Sequence, residues 1–336
     1  MVPGAQLEQT IAIGDRVVEE FRQSFVLGGE VVRSVTASVG VTVVSPGTPP
    51  EEVIRRADSA MYHAKHSGRD QLAVYDTGSG TLTSPRRLAK DELRRAIRAD
   101  EIAVDYQPIM QLALGTDPVL RGFEALPRWQ HPERGRLTAD TLFSLAEESG
   151  LIDALGDAVL NVALRQLRVW NDPRLAIAVN VSVRQLIRPG FAAEVVTRLV
   201  DHDIAPVRLS LEVPESQLIE EPDLALAGLL EVQAAGVQIG VDDFGTGGTS
   251  MTYLRDLPAT VLKIDRSLVA SLPAAGKDRA VIGAIVHLAH ALGEQTVAKG
   301  VETAEQLAFL QEVRCDFAQG SLFGEPLPAP AVRLAR

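Results

Sequence analysis

From Lys90 to the C-terminus, short β-branched apolar runs alternate with segments of helical spacing, and few folds accept that order. Strand-like runs fall at 103–106, 120–126, 176–181, 208–213, 238–241, 261–264, 295–297 and 316–318. Helical segments fall at 91–99, 139–149, 152–170, 193–202, 222–235, 279–292 and 303–312. Strands alternating with helices over about 240 residues predict a (β/α)8, TIM-like barrel, with a doubly wound open sheet as the alternative.

In either fold, ligands lie outside the carboxyl ends of the strands, so the polar residues there carry the functional signal. Glu124, Asn180, Glu212, Asp242 with Asp243, Lys263 and Gln319 all sit at such ends. Singly, each reads as a turn or cap. In a barrel they converge on one ring, where carboxylates and an amide make a hard oxygen set for Mg²⁺ or Mn²⁺. Such a set with a nearby lysine suits phosphodiester hydrolysis. Asp242 and Asp243 pose a geometric condition, since neighbours on a strand point to opposite faces unless the strand has ended.

Composition narrows the partners. A net charge of −11 and 4% aromatics disfavour a nucleic-acid polymer as ligand. Cys315 is the lone cysteine, so a disulfide or Cys-based zinc site within the chain is excluded and a reducing cytoplasm fits. No apolar run approaches the length of a membrane span, and the N-terminus has no signal-peptide pattern.

The first part of the chain reads as a helix over 5–25, a turn at Gly28-Gly29, a strand over 31–44, a helix from Pro49-Pro50 to His66 stopped by Gly68, and a strand over 71–75. TASVGVT (36–42) and RRADSAMYHAKHSGRD (55–70) resemble the C-terminal half of a GGDEF domain, the diguanylate cyclase fold. The family's signature turn has no counterpart here, so the resemblance implies no cyclase activity. Residues 1–78 are expected to form this partial, degenerate unit, an α/β remnant from a reading frame that starts upstream or from decay. Residues 79–90, within a Gly/Ser/Thr-rich stretch, read as a linker to a domain over 91–336.

That second domain resembles the EAL domain, the cyclic di-GMP phosphodiesterase family, along nearly its whole length. The matching blocks are YQPI (106–109), EALPRW (124–129), LAEESGLI (145–152), VNVSVRQ (179–185), LEVPES (211–216), VDDFGTG (241–247), LKIDRS (262–267), GVETAEQ (300–306) and CDFAQG (315–320). The resemblance implies a barrel whose first strand is antiparallel, and hydrolysis of cyclic di-GMP to linear pGpG. It implies metal contacts from Glu124, Asn180, Glu212, Asp242 and Asp243, with Lys263 at the attacking water. It also implies that Glu215 braces the loop after DDFG, Gln319 lies at the rim of the metal centre, and Gln107, Leu126, Arg128, Asn180, Asp265 and Glu302 surround the substrate. Family members often pair, so a homodimer through this domain is expected.

One departure bears directly on catalysis. Lys299, in AKGVE, stands where the family has the first glutamate of EGVE, a residue that serves a second metal. Pro214, Gly248 and Thr249 are softer departures around the DDFG loop. The reading taken is a metal-dependent phosphodiesterase whose turnover Lys299 reduces. The alternatives are an inactive cyclic di-GMP receptor and a protein scaffold that has lost the nucleotide.

Overall fold

A computed structural model describes residues 7–22, 25–27, 30–32, 36–44, 48–66, 71–75, 82–83, 85–132, 134–220, 222–247, 251–272 and 277–333. Gly28, Gly29, Gly68, Gly248 and Thr249 lie outside them, as do residues 79–81 and 84 of the stretch read as a linker. The chain divides into two compact units, Met1–Arg95 and Ala96–Arg336.

In the first unit, α1 (Leu7–Arg22) precedes an antiparallel pair, β1 (Phe25–Leu27) and β2 (Glu30–Val32). Strand β3 (Val39–Thr42), helix α2 (Pro50–His66) and strand β4 (Leu72–Tyr75) then form a βαβ unit, with Val39 opposite Leu72 and Thr42 opposite Tyr75. The run expected as one strand over 31–44 is therefore divided: its first part pairs with β1, and β3 begins where its partner Leu72 begins. Gly40 lets α2 lie directly on β3, because a Cβ there would stand 2.2 Å from the Ala57 carbonyl oxygen. Ala60, Ala64 and Ala73 fill that contact, while Val41, Leu72 and Val74 pack against Ile11 of α1. A short β5 (Leu82–Thr83) pairs with β4, and α3 (Pro85–Arg98) opens with a proline at its first turn. Both elements fall inside or beside the stretch read as linker, which carries more regular structure than its composition predicts.

The second unit begins with a long hairpin of β6 (Ile102–Gln111) and β7 (Val119–His131), extended by β8 (Gly135–Leu137). Helices α4 (Ala139–Ser149) and α5 (Ile152–Trp170) lead to β9 (Ala176–Asn180). Next come α6 (Val183–Leu186), α7 (Phe191–Asp201), β10 (Leu209–Pro214), α8 (Glu215–Glu220), α9 (Pro222–Ala234) and β11 (Gln238–Phe244). The rest is α10 (Met251–Asp256), β12 (Val261–Ile264), α11 (Arg266–Ala270), α12 (Lys277–Leu292), β13 (Gln295–Ala298), α13 (Ala304–Glu312), β14 (Phe317–Ala318) and β15 (Leu327–Pro328).

Among the described residues, β6, β7, β9, β10, β11, β12, β13 and β14 close into an eight-stranded barrel. Strand β6 runs antiparallel to both of its ring neighbours, β7 and β14, and the other neighbours pair in parallel. The open-sheet alternative is thus excluded, and the reversed first strand is present. Alternation along the strands sorts the side chains. Leu211 and Val213 flank Glu212, and Leu262 and Ile264 flank Lys263, so these buried apolar groups face away from the polar ones and toward the helices. No helix among the described residues is long and apolar enough to cross a membrane.

The end of the barrel opposite the strand C-termini holds an isolated acid. Glu294, between α12 and β13, is buried, and its Oε2 has no hydrogen-bond partner. Burial pushes its carboxyl up to about 7 from the ordinary 4.5. Between those values the folded chain holds a proton that the unfolded chain releases, so raising the pH through this window weakens the fold. Glu294→Gln is expected to stabilise the protein at pH 8 by about 1 kcal/mol, after allowance for solvent screening. At pH 4.5 it should change little. Denaturant unfolding of both forms at the two pH values checks this, and an equal effect at both would refute it.

Candidate active site

Strands β7, β10, β11 and β12 each deliver one ionisable side chain to the same point inside the barrel mouth. Lys263, from the middle of β12, is fully buried. Its ammonium donates to Glu124 Oε2 at 3.0 Å and to Glu212 Oε2 at 2.5 Å, with Asp242 Oδ1 at 3.9 Å. The parallel register sets Glu212 beside Asn180, whose amide donates to Glu124 Oε1 at 2.8 Å. Gln319, just past β14, donates to Glu124 Oε2 and to Gln107 Oε1, both at 2.8 Å. Gly240 leaves room for this cluster, since a Cβ there would lie 3.1 Å from Glu212 Cγ.

The charges hold one another in place. Burial works against ionising Glu124, but Lys263 and Lys299 beside it and the hydrogen bond from Gln319 hold its carboxyl below the usual range. Burial pushes Glu212 up, and the negative Glu124 and Asp242 add to that push while Lys263 opposes it. Burial also disfavours the Lys263 ammonium, yet Asp242, Glu124 and Glu212 keep it protonated well above its ordinary value.

The condition posed by the vicinal acids is met by a bulge. Pairing of β11 with β12 shifts register between Val241 and Phe244, and Asp243 adopts φ 55°. That left-handed conformation costs a residue with a Cβ about 1–2 kcal/mol. It turns Asp243 toward the side of Asp242, and both carboxylates meet Lys299. The Lys299 ammonium lies 2.7 and 2.9 Å from the two Asp242 oxygens and 2.7 Å from Asp243 Oδ1. Burial and the nearby Lys263 disfavour its charge, but Asp242 and Glu124 outweigh them and raise its pKa.

The loop after Phe244 hangs on Glu215, the first residue of α8. Its Oε2 accepts from the amides of Gly245 at 3.0 Å and Gly247 at 3.2 Å. Gly247 permits this approach, because a Cβ there would lie 2.9–3.1 Å from the Glu215 carboxylate atoms.

Above the cluster opens a cavity of about 660 Å³. Gln107, Glu124, Leu126, Asn180, Asp242, Asp243, Asp265, Lys299, Glu302 and Gln319 line it, whereas Glu212 and Lys263 lie below its floor and Glu215 lies behind the loop. Arg128 is outside the lining. Its Nε donates to the buried Asp105 at 3.0 Å, and Arg136 holds both oxygens of the same carboxylate. Asp265 caps α11 by accepting from the Ser267 amide. Sequence reasoning missed Asp140, Phe143, Glu147 and Arg266, which also line the cavity. The helical spacing of the first three along α4 is the signal that could have found them, since it sets Asp140, Phe143 and Glu147 on one helix face.

A closed barrel with a reversed first strand, bearing acids and lysines at the mouth, is the architecture of the EAL domain. Residues 90–326 match the family of that description, and the chain belongs to it. Residues 1–71 match the family described as "Diguanylate cyclase, GGDEF domain". The chain is 37% identical over 321 residues to the bifunctional diguanylate cyclase/cyclic di-GMP phosphodiesterase MucR of Pseudomonas aeruginosa, covering 94% of this chain and 46% of MucR. It is 35% identical over 326 residues to the cyclic di-GMP phosphodiesterase PdeR of Escherichia coli, covering 95% of this chain and 48% of PdeR. It thus spans about half the length of these relatives. A solved PaMucR phosphodiesterase in complex with c-di-GMP superposes with TM-score 0.67 at 40% identity, covering 72% of this chain and 98% of that one.

Removing a buried counter-ion leaves its partners uncompensated, at a cost of about 3–5 kcal/mol. Lys263→Met, unfolded by denaturant in the presence of a chelator, should lose stability on that scale. A loss no larger than that of Arg255→Met, whose partner Asp256 is exposed, would show that the carboxylates neutralise themselves by taking up protons.

Proposed function

We propose that this chain hydrolyses one phosphodiester bond of cyclic di-GMP, releasing linear pGpG, with Mg²⁺ or Mn²⁺ as cofactor. The observation that carries this reading is the buried Lys263 ammonium gripped by carboxylates beneath a cavity large enough for a nucleotide. The family and the relatives' activities support it.

The residues fit a divalent ion. Glu124, Glu212 and Asp242 each offer an oxygen, all within 4.8 Å of one another. The Asn180 amide sits against Glu124 and can add its own oxygen. All are hard donors, suited to Mg²⁺ or Mn²⁺ rather than a thiophilic ion. A divalent ion held there supplies Lewis-acid charge and makes a nucleophile of water at neutral pH.

The chain's own groups do the rest. Lys263 keeps its proton, so it acts as a fixed donor that orients the attacking water and faces developing negative charge, not as a base. Gln319 aligns Glu124 with Gln107, which would lie near a guanine edge. Leu126, Asn180, Asp265 and Glu302 would complete the substrate wall. Arg128 would have to exchange its contact with Asp105 for a ligand phosphate. Glu215 holds the DDFG loop, and with it Asp243, in register with the site. A cytoplasmic location goes with this reading, because a cyclic dinucleotide messenger is made and held inside the cell. A homodimer through this domain completes the proposal. Sedimentation showing only monomer at high protein concentration, with and without nucleotide, would remove that part.

With Mn²⁺, the purified chain is expected to convert cyclic di-GMP to pGpG, resolved by chromatography. Glu124→Ala should lose at least about a thousandfold in rate while remaining folded by circular dichroism. Nucleotide that binds and is never cleaved would move the assignment to a receptor.

A further inference from the structure

The cation beside Asp242 and Asp243 is already part of the chain. Lys299 follows β13 directly, and its backbone N–H donates a hydrogen bond to the Ile264 carbonyl oxygen at 3.1 Å. From there the side chain runs into the barrel mouth and ends among three carboxylate oxygens at 2.7–2.9 Å. An ammonium has three N–H donors, and here all three are used. The acceptors are the two acids of the bulge, whose carboxylates would repel each other at this distance without a positive charge between them. Asp242 Oδ1 also accepts from the Asp243 amide at 2.8 Å, whereas Oδ2 keeps a second lone pair, so that carboxylate can hold Lys299 and still offer an oxygen to the cluster of Glu124 and Glu212.

The formal charges agree with this geometry. With every carboxylate ionised, as ligation of a metal requires, Glu124, Glu212, Asp242 and Asp243 face Lys263 and Lys299, which leaves two negative charges uncompensated, the charge of one divalent ion. A second ion at the position of the Lys299 ammonium would have to expel that ammonium from all three of its partners.

We propose that Lys299 is a tethered monovalent cation filling the place of a second metal, so that this chain takes one divalent ion per site. The inference rests on the reading that the Glu124, Asn180, Glu212 and Asp242 set holds a metal. It gives the chain a catalytic centre that needs a single ion to be complete. It also makes Asp243 a partner of Lys299 rather than a metal ligand.

The test counts ions, with no nucleotide present. Mn²⁺ binding to the full chain is measured by equilibrium dialysis, together with the electron paramagnetic resonance spectrum of the bound ion. One Mn²⁺ per chain, with the spectrum of an isolated ion, is expected for the wild type. Lys299→Glu, which exchanges the ammonium for a carboxylate, should bind two and show a spin-coupled pair. Two ions on the wild type, or one ion on both proteins, overturns the proposal. Should Lys299→Glu fail to fold, Lys299→Gln serves instead: with a neighbouring positive charge removed, Mn²⁺ should bind at least about tenfold more tightly. Unchanged affinity in that variant also overturns it. A wild type that binds one Mn²⁺ and never cleaves cyclic di-GMP would sink the hydrolase reading and leave this one standing.

Discussion

The barrel mouth depends on one buried ammonium. Glu124, Glu212 and Asp242 come from three different strands and converge where little water reaches them. Without a cation they would repel or take up protons, and the strand ends would have no electrostatic reason to meet. Lys263 supplies that reason from β12, a strand of four residues pinned between β11 and β13. The neighbouring devices are then subordinate: Asn180 and Gln319 each take one further lone pair of Glu124, leaving Oε1 with one open, and Gly240 makes room beside Glu212.

A second layer of the site is built from backbone. Asp243 in a left-handed conformation, the register slip of β11, and two glycine amides on the Glu215 carboxylate bend the chain so that adjacent acids share one partner. The local strain is modest beside three charge-assisted hydrogen bonds to Lys299, each worth about 1.5–3 kcal/mol. The order of causes runs from strand register, to bulge, to a carboxylate pair, to the cation that pair selects.

The alternation of apolar runs revealed the ring because buried parallel strands are nearly all apolar, and every barrel strand was visible in that pattern. Its edges were less visible where polar side chains interrupt the run. Strands β6 and β7 extend well beyond their expected limits, past Gln107 in one and Arg128 in the other, polar residues held within the barrel by Gln319 and by Asp105. Short helices such as α6, α8 and α11 lie below the length at which periodicity speaks, and capping interactions at Ser182 and Asp265 help to hold two of them. The charges at strand ends could be read one by one. That Lys299 would engage both vicinal acids at once could not, since it depends on a single φ angle. The acids of α4 stayed hidden for a different reason: a charged face on an amphipathic helix looks like a solvated one until a cavity is found beside it.

The reversed first strand has a consequence for how the protein comes into being. Hairpin β6–β7 pairs residues close in sequence, so it can form as soon as both strands exist. The seam that closes the ring joins β6 to β14, with Gln111 opposite Phe317. Gln319 reaches back 212 positions to Gln107 and 195 to Glu124. Contacts of such sequence separation form late, because the intervening chain must be ordered first. During synthesis, the earliest-made part of the barrel therefore carries half of a site that waits for β14, the last strand of the ring, to leave the ribosome. The site is complete only when the two ends of the barrel domain have met.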